Sequence, residues 1–150
     1  MQLTVNSSAE KGSIGLFGYV EDGSIQNLHV SGNVSSTHAT GNNSAGGIVG
    51  FLSNGKVKAC SFDGSVSNSS SNGNAAGICG NTNNMATSIF GCINRGAITS
   101  GYDAGGITNW CQSFCMACYN EGTITAANRA AGIVSTLSDA TGSIVGCYNI

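Results

Sequence analysis

The sequence predicts an all-β protein that folds as a parallel β-helix, or β-solenoid, of about five coils. Three observations support this prediction. A glycine-rich apolar motif recurs along the chain, turn-forming residues separate short apolar segments, and the 150 residues include 23 glycines and no proline. Proline would remove a hydrogen-bond donor from a strand that is paired on both sides, whereas glycine permits tight corners. We expect one solenoid repeat domain over residues 1–150.

The recurring motif is Ala-Gly-Gly-Ile-Val-Gly at residues 45–50, with related versions before and after it. Its central glycine returns at intervals of 32, 30, 29 and 26 residues, at Gly15, Gly47, Gly77, Gly106 and Gly132. A period of about thirty residues is typical of solenoid proteins. Two further short apolar segments follow the motif in each repeat, so we predict three short strands per coil.

Equivalent positions of successive repeats are apolar throughout. When parallel strands stack in register about 4.8 Å apart, a position that faces inward has to be apolar in every coil. Four columns meet this condition and form the predicted core: Leu16, Ile48, Ile78, Ile107 and Ile133; Val34, Val66, Ile98 and Ile124; Ile25, Val57, Ile89, Cys115 and Ile144; and Leu28, Cys60, Cys92, Cys118 and Cys147.

The repeats differ in length at four segments, residues 36–44, 68–74, 100–103 and 126–129. Insertions in solenoids usually project from one corner, so we expect all four segments to lie together as a variable-loop corner. The two ends of the chain do not resemble the caps that cover solenoid termini. We therefore expect the chain to be a fragment of a longer protein, in which neighbouring coils or domains contact its ends.

The charge pattern excludes some classes of partner. Only 8% of the residues are charged and the formal net charge is -2. Nucleic-acid-binding proteins concentrate positive charge on one face, whereas the few basic residues here are scattered. No apolar run reaches membrane-spanning length, and the first residues lack the basic and apolar regions of a signal peptide. We predict no nucleic-acid partner and no membrane insertion.

Seven cysteines invite a metal-binding interpretation. Cys111, Cys115 and Cys118 have the C-x3-C-x2-C spacing of the iron–sulfur loop in radical-SAM enzymes. Cys115 and Cys118 nevertheless belong to apolar columns, where cysteine serves as a small core residue. We predict no metal and no cofactor, and mostly free thiols in the interior. A disulfide framework is the alternative, although bridges between in-register neighbours are geometrically awkward. Cys111 lies outside the columns and is expected to be open to exposure.

Acids, bases and nucleophiles do not converge on one column, so we predict that the chain is not an enzyme. Asp63 and Glu121 share a column with Arg95 between them, which indicates a row of surface charges. A carbohydrate-active β-helix enzyme, a lyase or hydrolase, is the alternative. His29 stands alone in a strand.

Three further groups of residues repeat along the coils: an asparagine column, a tyrosine pair and an array of hydroxyl side chains. Asn94, Asn120 and Asn149 occupy one column and are expected to form a stacked amide ladder. Tyr119 and Tyr148 lie one residue earlier, on the outer face, and are candidate residues for binding a sugar ring. Hydroxyl side chains flank the column of Val34, and this array suggests an ice-binding solenoid as a further alternative. Its members are Ser65, Ser67, Thr99, Thr123 and Thr125.

The repeat unit resembles the GLUG-type repeats of bacterial surface proteins. The resemblance rests on the motif at 45–50 and on the pattern Gly-Cys-Tyr-Asn-x-Gly-x-Ile-Thr at 117–125, where Ala117 replaces the first glycine. It extends over residues 12–150. Such repeats occur in adhesin-like proteins and in the non-catalytic regions of M26-type IgA-specific metallopeptidases. The H-E-x-x-H motif of metallopeptidases is absent from the sequence, so peptidase activity does not follow.

The resemblance implies a non-enzymatic, extracellular or cell-surface repeat module of a bacterial protein, acting as an adhesive surface or a spacer stalk. The partner it implies is a host or bacterial surface glycan or protein. We expect ligand contacts at the variable-loop corner or on one outer sheet.

Overall fold

The computed structural model of the chain describes residues 2–8, 12–38, 43–138 and 142–150. These residues form 23 short strands and no helix, and all strand pairs are parallel. The predicted fold class is confirmed, because the strands stack as a β-solenoid of about five turns. Within the described ranges, no helix has the length and apolar character needed to cross a lipid bilayer.

The strands follow the coils in order. Strand β1 (Gln2–Ser7) precedes the first coil, which consists of β2 (Gly12–Ile14), β3 (Phe17–Glu21), β4 (Ser24–Gln26) and β5 (His29–Ser36). The second coil consists of β6 (Asn43–Gly46), β7 (Val49–Ser53), β8 (Lys56–Lys58) and β9 (Ser61–Asn68). The third consists of β10 (Asn74–Ala76), β11 (Cys79–Asn83), β12 (Ser88–Phe90), β13 (Ile93–Asn94) and β14 (Ala97–Ser100). The fourth consists of β15 (Asp103–Gly105), β16 (Thr108–Cys111), β17 (Phe114–Met116), β18 (Tyr119–Asn120) and β19 (Ile124–Ala126). The fifth consists of β20 (Arg129–Ala131), β21 (Val134–Leu137), β22 (Ser143–Val145) and β23 (Tyr148–Asn149).

Strands of successive coils pair to form four parallel sheets, one on each side of the solenoid. Sheet A has the order β1-β5-β9-β13-β18-β23. It also contains β14, which pairs with β9 and with β19. Sheet B has the order β2-β6-β10-β15-β20, sheet C the order β3-β7-β11-β16-β21, and sheet D the order β4-β8-β12-β17-β22. The variable loops connect sheet A to sheet B, as predicted, although residues 39–42 of the first loop lie outside the described residues.

The prediction of three strands per coil is wrong, because each coil has four sides. The motif at 45–50 was assigned to one strand, but β6 ends at Gly46 and β7 begins at Val49. The backbone turns between them, and a Cβ at Gly46 would overlap the carbonyl oxygen of Val49. Only glycine permits so close a backbone approach. The glycine pair of the motif therefore forms a corner between sheets B and C.

Residues of the predicted core columns lie opposite one another in register, although Ile144, the last member of its column, is exposed. Val34 lies opposite Val66, and Val66 opposite Ile98, which in turn lies opposite Ile124. The inward-facing column residues of the central coils have almost no exposed surface, as Ile48, Ile78 and Ile107 illustrate. Members of the columns in the outer coils are partly buried and pack against this core: Leu16, Ile25, Leu28, Ile124, Ile133 and Cys147.

The predicted amide ladder is also confirmed, and it lies against the glycine column. Asn94 Nδ2 donates to Asn120 Oδ1 at 2.7 Å, and Asn120 Nδ2 donates to Asn149 Oδ1 at 2.7 Å. Each of the first two amides also donates to a backbone carbonyl two residues later, at 3.0 and 2.9 Å. A Cβ at Gly106 would lie 2.5 Å from Cγ of Asn120. The missing side chain of this glycine thus makes room for the ladder.

The corner between sheets D and A uses a left-handed backbone conformation in every coil. Its five residues have φ between 51° and 62°: Asn27, Ala59, Gly91, Ala117 and Gly146. For an alanine this conformation costs about 1–2 kcal/mol, because Cβ approaches the following carbonyl oxygen. The alanine that replaces the glycine of the repeat pattern at Ala117 is therefore strained.

We expect the substitution Ala117→Gly to stabilise the protein by about 0.5–1 kcal/mol, the strain relief less the added flexibility of the unfolded chain. Urea unfolding monitored by circular dichroism would measure this change. The matched control is Ala97→Gly at an exposed strand position, which should destabilise by about 0.5–1 kcal/mol. Equal losses of stability for the two variants would contradict the strain at Ala117.

Candidate functional site

A cleft of about 400 Å³ opens at the variable-loop corner. Residues from three loops or their adjoining strands and from sheet C meet there, because the coils stack the loops above one another. The lining residues are Asn72, Asn74, Tyr102, Asp103, Trp110 and Arg129. The variable-loop corner is one of the two surfaces on which the sequence predicts ligand contacts.

Asp103 and Arg129 form an ion pair in this cleft, in which the aspartate is buried and the arginine is exposed. The two residues lie opposite each other in strands β15 and β20. Arg129 Nη2 donates to Asp103 Oδ2 at 2.6 Å, and its Nε lies 3.1 Å from both carboxylate oxygens. The Asp103 side chain is 2% exposed, whereas that of Arg129 is 47% exposed. Such bidentate pairs fix the geometry of both groups.

Further donors hold the Asp103 carboxylate. Asn128 Nδ2 donates to Oδ1 at 2.9 Å, and the backbone N–H of Arg129 donates to the same oxygen at 3.1 Å. The hydrogen bonds that Asp103 accepts raise the pKa of the Arg129 guanidinium. The result is a rigid anchor that presents a guanidinium group at the surface of the cleft.

Two aromatic side chains supply the apolar part of the cleft. Tyr102 is exposed and follows strand β14, and Trp110 is partly exposed on strand β16. Trp110 belongs to an outward-facing column of sheet C, opposite Asn81 and Thr136. The same column carries Tyr19 and Phe51, whose rings stack at 5.6 Å with an interplanar angle of 8°. This column therefore carries a stacked aromatic pair and, beyond Asn81, the Trp110 side chain that lines the cleft.

The tyrosines predicted to bind a sugar lie elsewhere. Tyr119 and Tyr148 occupy equivalent positions in strands β18 and β23 of sheet A, and Tyr148 is 66% exposed. Neither residue lines the cleft. The grouping of Trp110, Tyr102, Asp103 and Arg129 was not predicted from the sequence. The sequence feature that could have identified this group was the predicted clustering of the variable loops at one corner.

His29 is not isolated, contrary to the sequence-based expectation. Its Nδ1 lies 2.8 Å from Ser61 Oγ, and its Nε2 lies 3.5 Å from Asp63 Oδ2. The stacking of β5 on β9 brings the three side chains together on the outer face of sheet A. Serine, histidine and aspartate are the residue types of a hydrolytic triad, although here they lie on an exposed strand surface.

The predicted charge row and hydroxyl face also lie on sheet A. Arg95 Nε lies 3.1 Å from Glu121 Oε2, and both side chains are well exposed. Next to this row, Ser67 Oγ donates to Ser35 Oγ at 3.1 Å, while Thr99 and Thr125 lie opposite each other on the adjoining strands. Exposed ion pairs contribute little to stability.

The cysteines occupy the interior as thiols. Cys60, Cys92, Cys118 and Cys147 follow one another in the predicted column, and the first three are buried. Cys111 was expected to be open to exposure, but it is fully buried. It lies opposite Leu137 in sheet C, in a column shared with Val20, Leu52 and Thr82. The polar Thr82 in that column concealed the apolar periodicity.

Three thiols converge where sheets D and A meet. The sulfur atoms of Cys115, Cys118 and Cys147 all lie within 4.8 Å of one another, and the Cys115 and Cys147 sulfurs are 4.0 Å apart. The first two residues are buried and Cys147 is partly buried. These residues were assigned from the sequence to two neighbouring columns, but the convergence of their three sulfur atoms was not predicted.

Hydrogen bonding between thiols separates their pKa values. Hydrogen bonding with the Cys115 and Cys92 thiols lowers the pKa of the Cys118 thiol. The same interactions raise the pKa of the Cys115 and Cys92 thiols. Cys79 belongs to a different part of the core, where burial raises its pKa.

Comparison with known protein families identifies one motif. A family model described as the GLUG motif matches residues 41–74. This segment contains the repeat motif at 45–50 and spans the second coil from its first strand to the loop that follows β9. No curated protein matches the chain. The chain therefore contains a GLUG repeat, and that repeat forms one coil of its β-solenoid.

Proposed function

We propose that the chain is a non-enzymatic repeat module of a bacterial cell-surface protein and that the cleft at the variable-loop corner binds a glycan. The single observation that carries this proposal is the cleft itself, in which Trp110 and Tyr102 adjoin the Asp103–Arg129 pair. The GLUG repeat supports the surface-protein context. The solenoid core supplies the rigid stalk on which the cleft is presented.

The lining of the cleft matches the apolar C–H face and the polar hydroxyl groups of a sugar ring. Aromatic side chains offer a flat apolar face, on which the C–H side of a sugar can stack. Asn72, Asn74 and Arg129 supply amide and guanidinium groups that can bond to sugar hydroxyls or to a carboxylate substituent. A few polar groups beside an apolar floor are typical of sites for small ligands. Because the exposed group of the ion pair is the cation, we favour an acidic glycan.

The substitution Trp110→Ala tests this proposal. Removal of the indole should weaken glycan binding about tenfold or more, which corresponds to about 1.4 kcal/mol. A glycan array with the unmodified protein would first identify the ligand, and calorimetry with that glycan would then compare the variants. Trp110 is only partly buried, so the variant is expected to fold.

The matched control is Tyr148→Ala, which removes an exposed aromatic side chain from sheet A. Glycan affinity should be unchanged in this variant. If Tyr148→Ala weakened binding and Trp110→Ala did not, the ligand would bind at the tyrosine pair instead. A fully negative array, or equal affinity of the two variants for the glycan that the array identifies, would reject the cleft as a glycan site.

A hydrolytic activity is the second candidate function, and the contacts of His29 with Ser61 and Asp63 favour it. If Ser61 acted as a nucleophile, the protein would hydrolyse an activated ester through an acyl-serine that water then releases, and Ser61→Ala would abolish turnover. The adhesive module predicts glycan binding without glycan hydrolysis, that is, without release of new reducing ends.

The ice-binding alternative predicts thermal hysteresis, which Thr125→Ala would lower.

A further inference from the structure

The thiol cluster has dimensions close to those of a metal–thiolate site. Thiolate sulfurs bind a metal ion such as zinc at about 2.3 Å, so three sulfurs around one ion lie about 4.0 Å apart in a trigonal plane. The Cys115 and Cys147 sulfurs are already 4.0 Å apart, and the cluster as a whole lies within 4.8 Å. A sub-ångström contraction of the remaining sulfur–sulfur distances would therefore close the site.

Backbone amides support two of the three sulfur atoms. The N–H of Cys118 donates to Cys147 Sγ at 3.4 Å, and the N–H of Cys92 donates to Cys118 Sγ at 3.5 Å. Both donors are backbone groups of the stacked coils, so their own positions do not depend on side-chain rotation. Outer-shell hydrogen bonds of this kind orient metal ligands.

We propose that Cys115, Cys118 and Cys147 bind one Cu(I) ion through their three sulfur atoms. Soft thiolate ligands select Cu(I), zinc or iron–sulfur clusters over magnesium or calcium. Structural zinc has four ligands, whereas the described residues place three metal-ligating side chains in this group. Cu(I) accepts three sulfur ligands, so it fits this group as it stands. No metal was predicted from the sequence, because the apolar columns accounted for each of these three cysteines separately.

Binding replaces thiol protons, which pass to the solvent, and leaves copper in the Cu(I) state. The ion enters an apolar neighbourhood that includes Ile89 and Ile144, the column neighbours of Cys115. The side chains of these two neighbours offer no carboxylate or hydroxyl ligand for a hard cation. Cys147 is partly buried, so the cluster extends from the interior to an accessible edge of the described structure.

Anaerobic titration with Cu(I), supplied as its acetonitrile complex against a competing chromophoric chelator, tests the proposal. We expect one Cu(I) per chain, and X-ray absorption should report three sulfur neighbours. The variant Cys115→Val should lower the affinity at least a hundredfold. Its fold should survive, because Val57 fills the same column in the second coil.

The matched control is Cys79→Val, which removes a buried thiol from a different column that already contains Val49. This variant should bind Cu(I) as tightly as the unmodified protein. Equal binding by Cys115→Val would overturn the proposal and would place copper in the column of Cys60, Cys92 and Cys118 instead. Four sulfur neighbours, or no binding by the unmodified protein, would likewise overturn it.

Discussion

Replacement of Gly106 by alanine is expected to destabilise the protein by about 3 kcal/mol or more. A Cβ at this position would overlap the carbonyl oxygen of Gly132 in the next coil and would lie 2.5 Å from Cγ of Asn120. Neither neighbour can retreat easily, since one is backbone and the other belongs to the amide ladder. Chemical unfolding, compared with the unmodified protein, would measure the loss.

The control for this variant is Gly91→Ala, because the nearest atom to a Cβ there is 4.0 Å away. Gly91 has a φ of 62°, so alanine should cost about 1 kcal/mol through backbone strain alone. The chain itself tolerates Ala59 at the equivalent corner. If the two variants were equally unstable, contact between stacked coils would not explain the glycine column.

The substitution Asn120→Ala should cost about 3 kcal/mol, the second large effect that we expect. Asn120 is buried; its Oδ1 accepts a hydrogen bond from Asn94 Nδ2, and its Nδ2 donates to Asn149 Oδ1, at 2.7 Å in each case. Its removal leaves the Asn94 amide, the Asn149 amide oxygen and the Gly122 carbonyl without this partner. Each buried polar group that loses its hydrogen bond costs about 1–3 kcal/mol.

Asn149→Ala provides the matched comparison, because Asn149 is the exposed last member of the described ladder. Its loss removes one hydrogen bond to Asn120 and should cost about 1 kcal/mol. Thermal or urea unfolding of both variants would rank the two positions. A smaller loss for Asn120→Ala than for Asn149→Ala would argue against a cooperative ladder.

The fold was predictable from the sequence because each inward position repeats its chemistry in every coil. Ile48, Ile78 and Ile107 could be aligned without a structure, and so could the asparagines of the ladder. The fourth side of each coil was not predictable in the same way. The corner at Gly46 and Gly47 lies within the motif, so apolar periodicity alone does not separate two strands there.

The candidate sites were harder to predict, because they combine positions that do not repeat. Trp110 shares its outward column with Phe51, Asn81 and Thr136, so no common residue type marks the column. The thiol cluster joins Cys115 of one column to Cys118 and Cys147 of another. Aligning the repeats of the chain with one another gives the neighbours along each column. The distance between two columns depends on how sharply the backbone turns at Ala117.

Nuclear Overhauser effects between isoleucine methyl groups would test the stacking of coils most directly. In a protein labelled at the isoleucine δ1 methyls, we expect strong cross-peaks between Ile48 and Ile78 and between Ile78 and Ile107. These residues lie on adjacent coils, as shown by the hydrogen bonds from Ile48 N to Ile78 O at 3.2 Å and from Ile78 N to Ile107 O at 3.1 Å. The Ile48–Ile107 cross-peak should be far weaker, because two strand spacings separate them. A strong Ile48–Ile107 cross-peak without the Ile48–Ile78 cross-peak would contradict the stacked solenoid.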